Sequence, residues 1–296
     1  FTPCYNSEKF LHRVFDSLKA QSYKNFEWLV VNDASTDSTA SIIYKYMEDA
    51  DFDVKFINLD RNQMLMRNYN LAIREAEGEL FIPAGHDDSF EADALQTFYE
   101  LWQSIPMNER QRYAGIICNC KDQFGRLIGD PFPYSPFETS LSEMRFRHKI
   151  RGEKWQCIVT DVMKEFPFPT VDKYVPESTV WYAIGTKYRM IAINDCLRTY
   201  FINQPDSLCS QRQIKYPVGM RYAYLDLLNN YVFSELYDPK QITSTLINYV
   251  RMSIHSGQGF VHTITAVNSL LKQILTSAAF FGGLIVALSD RIQRRI

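Results

Sequence analysis

The sequence predicts an α/β fold, in which a mostly parallel sheet is flanked by helices and followed by a C-terminal helical extension. Short apolar segments alternate with segments of helical periodicity, which is typical of strand-helix-strand units. Two of the apolar segments end on acidic residues, Asp33 and the pair Asp87-Asp88. Beyond about Ser210 only helical segments follow, so we expect one domain over residues 1–210 and a helical region over residues 211–296.

The predicted elements alternate along the chain in a regular order. Strands are predicted where short apolar runs are bounded by turn residues, at 26–31, 54–58, 80–82, 114–119, 155–159 and 189–194. Helices are predicted where apolar residues recur at every third or fourth position, at 7–18, 42–47, 66–76 and 94–101. The aromatic stretch 132–148 is predicted to be irregular and to cross the active edge of the sheet, and a later helix carries Glu177 in its first turn.

Composition and charge exclude several classes of protein. With 46% hydrophobic and 22% charged residues, the chain of 296 residues is typical of globular proteins and not of disordered ones. A net charge of -2 gives no general attraction for nucleic acid. The six cysteines show no Cys-x-x-Cys spacing and no secretory signal is visible, so we expect a reducing cytoplasm. The chain opens at Phe1-Thr2-Pro3 as if inside a strand, so the sequence is also compatible with a further segment upstream.

Two adjacent acids follow the strand predicted at 80–82, in the sequence Gly85-His86-Asp87-Asp88. Open α/β sheets bind ligands at the carboxyl ends of their strands, and Asp33 would lie at the same edge. Adjacent carboxylates repel each other, so a site that keeps both usually holds a divalent cation. The alternative is that both acids are solvated turn residues, or that one caps the next helix. No glycine-rich phosphate loop follows any strand, which favours a nucleotide held partly through metal-bridged phosphates.

The C-terminal segment combines an apolar stretch with a basic end. Residues 274–288 contain no charged side chain, and Asp290-Arg291 and Arg294-Arg295 follow them. This stretch is shorter than the ~20 residues that a membrane-spanning helix needs. It predicts either a helix that lies in the surface of an anionic membrane or a terminal helix packed on the domain.

Three segments resemble family 2 of the nucleotide-sugar glycosyltransferases. They are Thr-Pro-Cys-Tyr-Asn at 2–6, the stretch 26–39 that ends in Asn-Asp-Ala-Ser-Thr-Asp-Ser-Thr, and the stretch 78–88 that ends in the acid pair. The resemblance covers residues 1–210 and implies a GT-A (Rossmann-like) fold. It also implies a nucleotide-sugar donor, a Mg²⁺ or Mn²⁺ cofactor, and inversion of the anomeric centre in one displacement.

The resemblance also assigns roles to individual residues. Thr2, Pro3 and Tyr5 would line the nucleobase slot, and Asp33 would accept a hydrogen bond from the base. Asp87 matches the second acid of the family's Asp-x-Asp pattern and would hold the metal on the diphosphate. The sequence departs from that pattern because Gly85 stands in place of the first acid. Asp88, as a second metal ligand, is expected to compensate; His86 either assists it or is simply a loop residue.

Further residues of the site are implied in the same way. Arg67, Asn68 and Asn70 open a helix near the nucleotide and are expected to touch phosphate or sugar. Glu177, in the sequence Pro-Glu-Ser, matches the catalytic base; a Glu at a helix start is also simply favourable to the helix dipole. Lys154 and Trp155 are candidate acceptor-side residues, and Trp155 could equally belong to the core.

The sequence therefore predicts an inverting, metal-dependent glycosyltransferase. It would move a hexose or an N-acetylhexosamine from a UDP-sugar to a glycan or lipid-linked acceptor at the cytoplasmic face of the plasma membrane, with no nucleic-acid partner. One alternative is a non-catalytic sugar-nucleotide or glycan-binding protein on a degenerate scaffold, which the Gly85 substitution favours. Another is a nucleotidyltransferase, which would normally carry a glycine-rich basic phosphate loop.

Overall fold

The computed structural model describes residues 1–202, 213–233 and 238–293, and it divides into two compact units. The first unit comprises Phe1–Phe168 and Ala183–Pro205, and the second comprises Pro169–Tyr182 and Asp206–Ile296. The domain boundary expected between residues 210 and 211 lies outside the described residues, so it stays a prediction. The segment 169–182, which the sequence assigned to the first domain, belongs to the second unit.

The first unit is built on two sheets. Its described strands are β1 (Thr2–Cys4), β2 (Glu27–Asn32), β3 (Asp53–Asn58), β4 (Leu80–Phe81), β5 (Ser89–Phe90), β6 (Tyr113–Lys121), β7 (Phe137–Thr139), β8 (Lys154–Val159) and β9 (Arg189–Thr199). Strands β1, β2 and β3 form a parallel sheet with β2 in the middle. The second sheet has the order β4-β8-β6-β9-β5, and β7 also pairs with β9.

The second sheet is mixed, whereas the sequence predicted mostly parallel pairing. Its β6–β9 pair is parallel, and the described pairs β4–β8, β6–β8, β5–β9 and β7–β9 are antiparallel. The α/β class with parallel strands is confirmed. Strand direction could not be predicted, because a buried apolar run looks the same whichever way its neighbour points.

Burial explains why the central strands form where they do. Eight consecutive residues of β6, from Tyr113 to Cys120, are buried, and such a continuous apolar run is typical of a strand covered on both faces. Gly115 lies inside this run with φ +147°, and a Cβ there would collide with the carbonyl oxygen of Cys157 on β8. A glycine is therefore required where β6 and β8 approach most closely.

Helices cover the sheets of the first unit. They are α1 (Leu11–Lys19), α2 (Thr39–Asp49), α3 (Leu65–Glu75), α4 (Ala94–Ser104), α5 (Leu141–Phe146) and α6 (Thr160–Glu165). The apolar stripe of α1 is buried at Leu11, Val14 and Phe15, as its spacing predicts. The stretch 132–148 is more regular than expected, because it contains β7 and also α5, whose first turn is closed by a Ser140–Glu143 capping box.

The second unit is helical in its described residues. After α7 (Ser178–Gly185), in which the division between the units falls, come α8 (Pro217–Asp226), a five-residue π-helical turn (Leu227–Tyr231), α9 (Pro239–His255), α10 (Phe260–Thr265) and α11 (Leu270–Gln293). Helix α11 packs closely on α9, since a Cβ at Gly283 would collide with the side chain of Val250. The predicted C-terminal helical extension is confirmed.

Candidate active site

The candidate site lies at the carboxyl edge of the parallel sheet, where β1 and β2 end together. Cys4 pairs with Asn32 in the register of these strands, and the next residue, Asp33, donates its N–H to the Cys4 carbonyl at 2.8 Å. Tyr5 is 51% exposed at this edge. The side chain of Thr2 points into the core instead, where its hydroxyl accepts a hydrogen bond from Trp28 Nε1 at 2.9 Å.

The carboxylate of Asp33 is buried and holds the turn that precedes α3. Its Oδ1 accepts the N–H of Gln63 at 2.6 Å, and its Oδ2 accepts the N–H of Met64 at 3.0 Å. Met64 has φ +74°, a conformation that non-glycine residues seldom adopt. Asp33 thus stabilises this strained turn through two charge-assisted hydrogen bonds. The sequence did not reveal this role.

The three polar residues expected on α3 differ in their surroundings. Arg67 is exposed. Asn70 is occupied by the main chain of Phe168, because its Nδ2 donates to the Phe168 carbonyl and its Oδ1 accepts the Phe168 N–H, both at 2.8 Å. Asn68 is buried, and its Oδ1 has no hydrogen-bond partner among the described residues. The contacts of Arg67 and Asn70 with phosphate or sugar stay predictions.

The acidic loop, Gly85 to Asp88, connects β4 to β5 and lies beside β1. The N–H of Ala84, just before the loop, donates to the Phe1 carbonyl at 2.8 Å, and the His86 ring lies beside the main chain of Pro3. Burial lowers the pKa of His86, and the neighbouring Asp87 carboxylate opposes that shift. The structure therefore brings Pro3, Asp33 and Asp87 to the same edge of the sheet, as the sequence predicts.

Asp88 is tied to the end of β9 by a buried ion pair. Its Oδ2 accepts a hydrogen bond from Arg198 Nε at 2.8 Å and forms an ion pair with Arg198 Nη2 at 2.6 Å, and Glu153 lies 3.2 Å from Arg198 Nη1. Burial raises the pKa of Asp88 to about 7, with Arg198 opposing the shift. With 1% exposure, Asp88 is not the solvated turn residue that the alternative required.

This ion pair explains why residue 85 is a glycine. A Cβ at position 85 would collide with Asp88 Oδ2 and would lie 3.2 Å from Asp87 Oδ1. The side chain of Asp88 thus folds back over residue 85 to reach Arg198. The loop cannot keep this conformation and also carry the acid that the family pattern places at position 85.

The acidic loop offers oxygen ligands of the kind that Mg²⁺ and Mn²⁺ take. Asp88 Oδ1 is buried without a hydrogen-bond partner among the described residues. The carboxylates of Asp87 and Asp88 both lie close to Gly85, so they are near each other. Across the part of the chain that the structure describes, no group of three or more His, Cys, Asp or Glu side chains could hold a metal alone. This arrangement fits a metal that takes its remaining ligands from substrate phosphates and water.

Glu177 lies in the second unit and immediately precedes α7. Its carbonyl accepts the N–H groups of Val180 at 3.0 Å and Trp181 at 3.2 Å, so it occupies the N-cap position and not the first turn as predicted. Its side chain is half-buried. Its role as the base stays a prediction.

The two candidate acceptor-side residues are internal. Lys154 is 4% exposed, and its Nζ donates to the carbonyls of Asp130 at 2.9 Å and Arg151 at 3.4 Å. Burial lowers the pKa of Lys154. Trp155 stacks on Phe90 with ring centroids 4.7 Å apart and belongs to the core, which was the other interpretation of its sequence position.

Comparison with known proteins agrees with this geometry. Residues 1–113 match the model of Glycosyl transferase family 2. The chain is 30% identical over 207 residues to the putative teichuronic acid biosynthesis glycosyltransferase TuaG of Bacillus subtilis, which covers 67% of this chain and 76% of the relative. The chain belongs to family 2 of the glycosyltransferases.

Other relatives extend beyond the matched region. The chain is 24% identical over 209 residues to GalNAc(5)-diNAcBac-PP-undecaprenol beta-1,3-glucosyltransferase of Campylobacter jejuni, covering 70% of this chain and 65% of that protein. It is 33% identical over 95 residues to the teichoic acid poly(glycerol phosphate) polymerase of Staphylococcus epidermidis, covering 32% of this chain and 13% of the polymerase. The chain therefore spans less than two thirds of the length of these two relatives.

Solved structures confirm the GT-A fold. The crystal structure of S. aureus TarS 1-349 in complex with UDP-GlcNAc superposes with a TM-score of 0.65 at 19% identity, covering 99% of this chain and 90% of the TarS 1-349 chain. The mannosyltransferase PcManGT from Pyrobaculum calidifontis, in complex with GDP-Man and Mn²⁺, gives a TM-score of 0.55 at 16% identity, covering 98% and 86% of the two chains.

Proposed function

We propose that this chain transfers a hexose or an N-acetylhexosamine from a UDP-sugar to a hydroxyl of a glycan or lipid-linked acceptor, with inversion and with a divalent metal. The observation that carries the proposal is the convergence of Pro3, Asp33 and the acidic loop at one sheet edge. Open α/β sheets bind ligands at that edge. The UDP-GlcNAc complex of TarS supports the choice of UDP, since TarS superposes on this chain with a higher TM-score than the GDP-Man complex of PcManGT does.

In this proposal the nucleotide lies along the carboxyl ends of β1 and β2. The exposed Tyr5 ring offers a surface on which a base can stack, while Pro3 forms the floor of the slot and the buried Thr2 supports that floor from the core. Asp33 fixes the turn before α3 and retains acceptor capacity for the N–H of a base. Arg67 is exposed one turn further on and contributes positive charge to phosphate or sugar, whereas Asn70 acts through the main chain of Phe168.

Asp87 and Asp88 are the residues that would hold Mg²⁺ or Mn²⁺ in this proposal. When bound, the metal neutralises negative charge that develops on the departing diphosphate. Asp87 would be the main ligand, because Arg198 engages Asp88 Oδ2 and leaves only Asp88 Oδ1 available to a metal. The Mn²⁺ complex of the mannosyltransferase PcManGT supports metal dependence on this fold.

Glu177 is the proposed catalytic base. The acceptor hydroxyl must lose its proton as it attacks the anomeric carbon, and a carboxylate can take that proton. The half-buried side chain immediately precedes α7, and a carboxylate at a helix N-terminus interacts favourably with the helix dipole. Glu177→Gln keeps the size and hydrogen bonding of the side chain and removes its basicity.

The test is turnover of a panel of UDP-sugars with Mn²⁺ and lipid-linked acceptors. We expect Glu177→Gln to retain the affinity for UDP and to lose about 10²-fold or more in kcat, the usual scale for removal of a general base. Glu165→Gln, a surface glutamate paired with Lys187, is the matched control and should keep full turnover. Near-normal turnover of Glu177→Gln would refute the assignment, and UDP-sugar binding without turnover of any donor would favour a non-catalytic sugar-nucleotide-binding protein.

We also propose that α11 associates with the cytoplasmic surface of an anionic membrane. Leu270–Ile292 is long and apolar enough to cross a membrane by length and composition. Its apolar side chains are largely exposed at Leu270, Leu271, Ile274, Phe281, Ile285, Leu288 and Ile292. The other face packs on α9, where Asp290 forms an ion pair with Arg251 and lies beside His255. A helix fixed on one face and apolar on the other is suited to lie in a membrane surface.

Flotation with vesicles tests this membrane proposal. We expect the wild-type chain to float with vesicles that contain about one third phosphatidylglycerol, and to float less with neutral vesicles and at high salt. Phe281→Ser combined with Ile285→Ser should abolish flotation. Phe124→Ser, which removes a 68% exposed aromatic from the first unit, is the control and should float normally. Unchanged flotation of the α11 double variant would refute the proposal.

A further inference from the structure

Arg13, on α1, reaches across the first unit to the acidic loop. Its Nη1 donates a hydrogen bond to the main-chain carbonyl of Asp87 at 2.8 Å. The guanidinium lies over the Phe10 ring at 4.5 Å from the centroid and over the Phe201 ring at 3.7 Å. Aromatic rings attract a guanidinium that stacks on them, so these two contacts help the hydrogen bond to hold the Arg13 side chain in place.

The main chain of the acidic loop is thereby held at consecutive points. The carbonyl of Asp87 is fixed by Arg13, and the following N–H, that of Asp88, donates to the Gly85 carbonyl at 3.2 Å. The side chain of Asp88 is fixed by Arg198. The peptide group that follows Asp87 is therefore fixed at both its carbonyl and its N–H, and this restricts the direction of the half-buried Asp87 side chain.

The two arginines depend on the same piece of chain. Arg198 lies near the end of β9, and Phe201, which covers Arg13, follows it by three residues. This segment is itself fastened, since the N–H of Tyr200 donates to the Lys121 carbonyl at 2.8 Å, and the side-chain amide of Gln123 bonds the main chain of Ile202. The end of β9 therefore supports the acidic loop both through the side chain of Asp88 and through the main chain of Asp87.

We propose that Arg13 is a positioning residue that directs the Asp87 carboxylate toward the metal-bound diphosphate of the donor. The inference rests on the proposed function and adds a residue that acts through Asp87 without touching the substrate. Its hydrogen bond ends on the main chain, so it orients Asp87 and leaves both carboxylate oxygens for the metal. An arginine suits this task because its planar fork can stack and donate at once.

The experiment measures UDP binding by calorimetry as a function of Mn²⁺, with kcat and KM for the donor measured in parallel. Arg13→Met should raise the Mn²⁺ concentration for half-maximal UDP affinity about tenfold, which corresponds to loss of one hydrogen bond to a charged group. The affinity for UDP without metal should not change, because Asp87 meets the diphosphate only through the metal. The donor KM at limiting Mn²⁺ should rise, and excess Mn²⁺ should restore it.

Three further variants distinguish positioning from general stabilisation. Arg13→Lys can still donate to Asp87 but stacks less well, so it should recover part of the Mn²⁺ affinity. Phe201→Leu keeps the guanidinium and removes its nearer ring, so it should show an intermediate effect even if Arg13→Met folds poorly. Lys19→Met is the matched control on the same helix, since Lys19 lies over Phe15 and pairs with Asp49 away from the loop, and it should behave as wild type.

The outcomes separate this inference from the function on which it rests. If Mn²⁺ does not strengthen UDP binding in the wild-type chain, the proposed function is refuted and the inference falls with it. If Mn²⁺ strengthens binding equally in wild type, Arg13→Met and Lys19→Met, the inference alone is refuted. Equal weakening of UDP binding with and without Mn²⁺ in Arg13→Met would also refute it, because that result is expected of a purely structural residue.

Discussion

Gly85 and Asp88 should be energetically coupled, because they compete for one volume. In Gly85→Ala the added Cβ collides with Asp88 Oδ2. That oxygen cannot move aside easily, because Arg198 holds it and the Asp88 side chain is buried. Either Asp88 leaves Arg198 or the loop shifts. Residue 85 does not have a positive φ, so the cost of the substitution should come from this contact and not from the backbone.

The magnitude follows from the ion pair. Removing one partner of a buried ion pair costs about 3–5 kcal/mol. The destabilisation by Asp88→Ala should lie near the lower limit of this range, because Arg198 would still form its ion pair with Glu153 at 3.2 Å. Gly85→Ala should cost about 1–3 kcal/mol by displacing the Asp88 carboxylate, within the usual range for overpacking. In the Asp88→Ala background the collision with Asp88 Oδ2 is gone, and only the 3.2 Å approach to Oδ1 of the half-buried Asp87 remains, so Gly85→Ala should cost under about 0.5 kcal/mol.

Denaturant unfolding followed by tryptophan fluorescence is a suitable assay for this cycle. Of the four tryptophans, Trp28, Trp102 and Trp155 lie in the first unit. Trp155 donates its indole N–H to the Pro83 carbonyl at 2.6 Å, two residues before Gly85, so it reports on this region. Additive effects of the two substitutions would refute the argument that Asp88 excludes a side chain at position 85.

The remaining predictions concern hydrogen bonds and pH. Asp33→Asn should destabilise the first unit by about 1–2 kcal/mol, because the amide Nδ2 cannot accept one of the two main-chain N–H groups and the remaining oxygen is uncharged; thermal unfolding measures this, and an unchanged midpoint would contradict it. Asn70→Leu should cost about 1–3 kcal/mol in the same assay, because both bonds to Phe168 are lost, and a neutral effect would show that they contribute nothing. Burial disfavours the ionised form of Asp290, but Arg251 and His255 hold the pKa of Asp290 below its ordinary value. The contribution of this ion pair to the free energy of unfolding should therefore be complete above about pH 4 and lost on further acidification. Circular dichroism melts between about pH 5 and pH 3 should therefore show a weaker pH dependence in Asp290→Asn.

Local pattern was sufficient for the elements of the first unit. The spacing of Leu11, Val14 and Phe15 predicts the buried face of α1, and the run before Asp33 predicts β2, because each depends on burial repeated along one short segment. The motif around Asp33 and Asp87 predicted that these residues lie at one edge of the sheet, where the candidate site is. Nothing in either pattern carries strand direction, so the antiparallel pairs of the second sheet were not expected.

The supports of the site could not be predicted, because they join residues far apart in the chain. Arg13 meets Asp87 and Arg198 meets Asp88 only after the sheets have formed, at separations of 74 and 110 residues. Asn70 resembles a polar residue placed for a ligand, yet the structure uses its amide to fasten Phe168. The Gly85 departure from the family pattern likewise gains a physical reason only from the position of the Asp88 carboxylate.

The central claim, that the acidic loop binds the donor diphosphate through a metal at Asp87, is tested most directly by calorimetry of UDP binding with and without Mn²⁺. The proposed function predicts that Mn²⁺ raises the affinity of the wild-type chain by at least about tenfold and that Asp87→Asn removes this gain, leaving the metal-free affinity unchanged. An equal gain from Mn²⁺ in Asp87→Asn, or no gain in the wild-type chain, would contradict it.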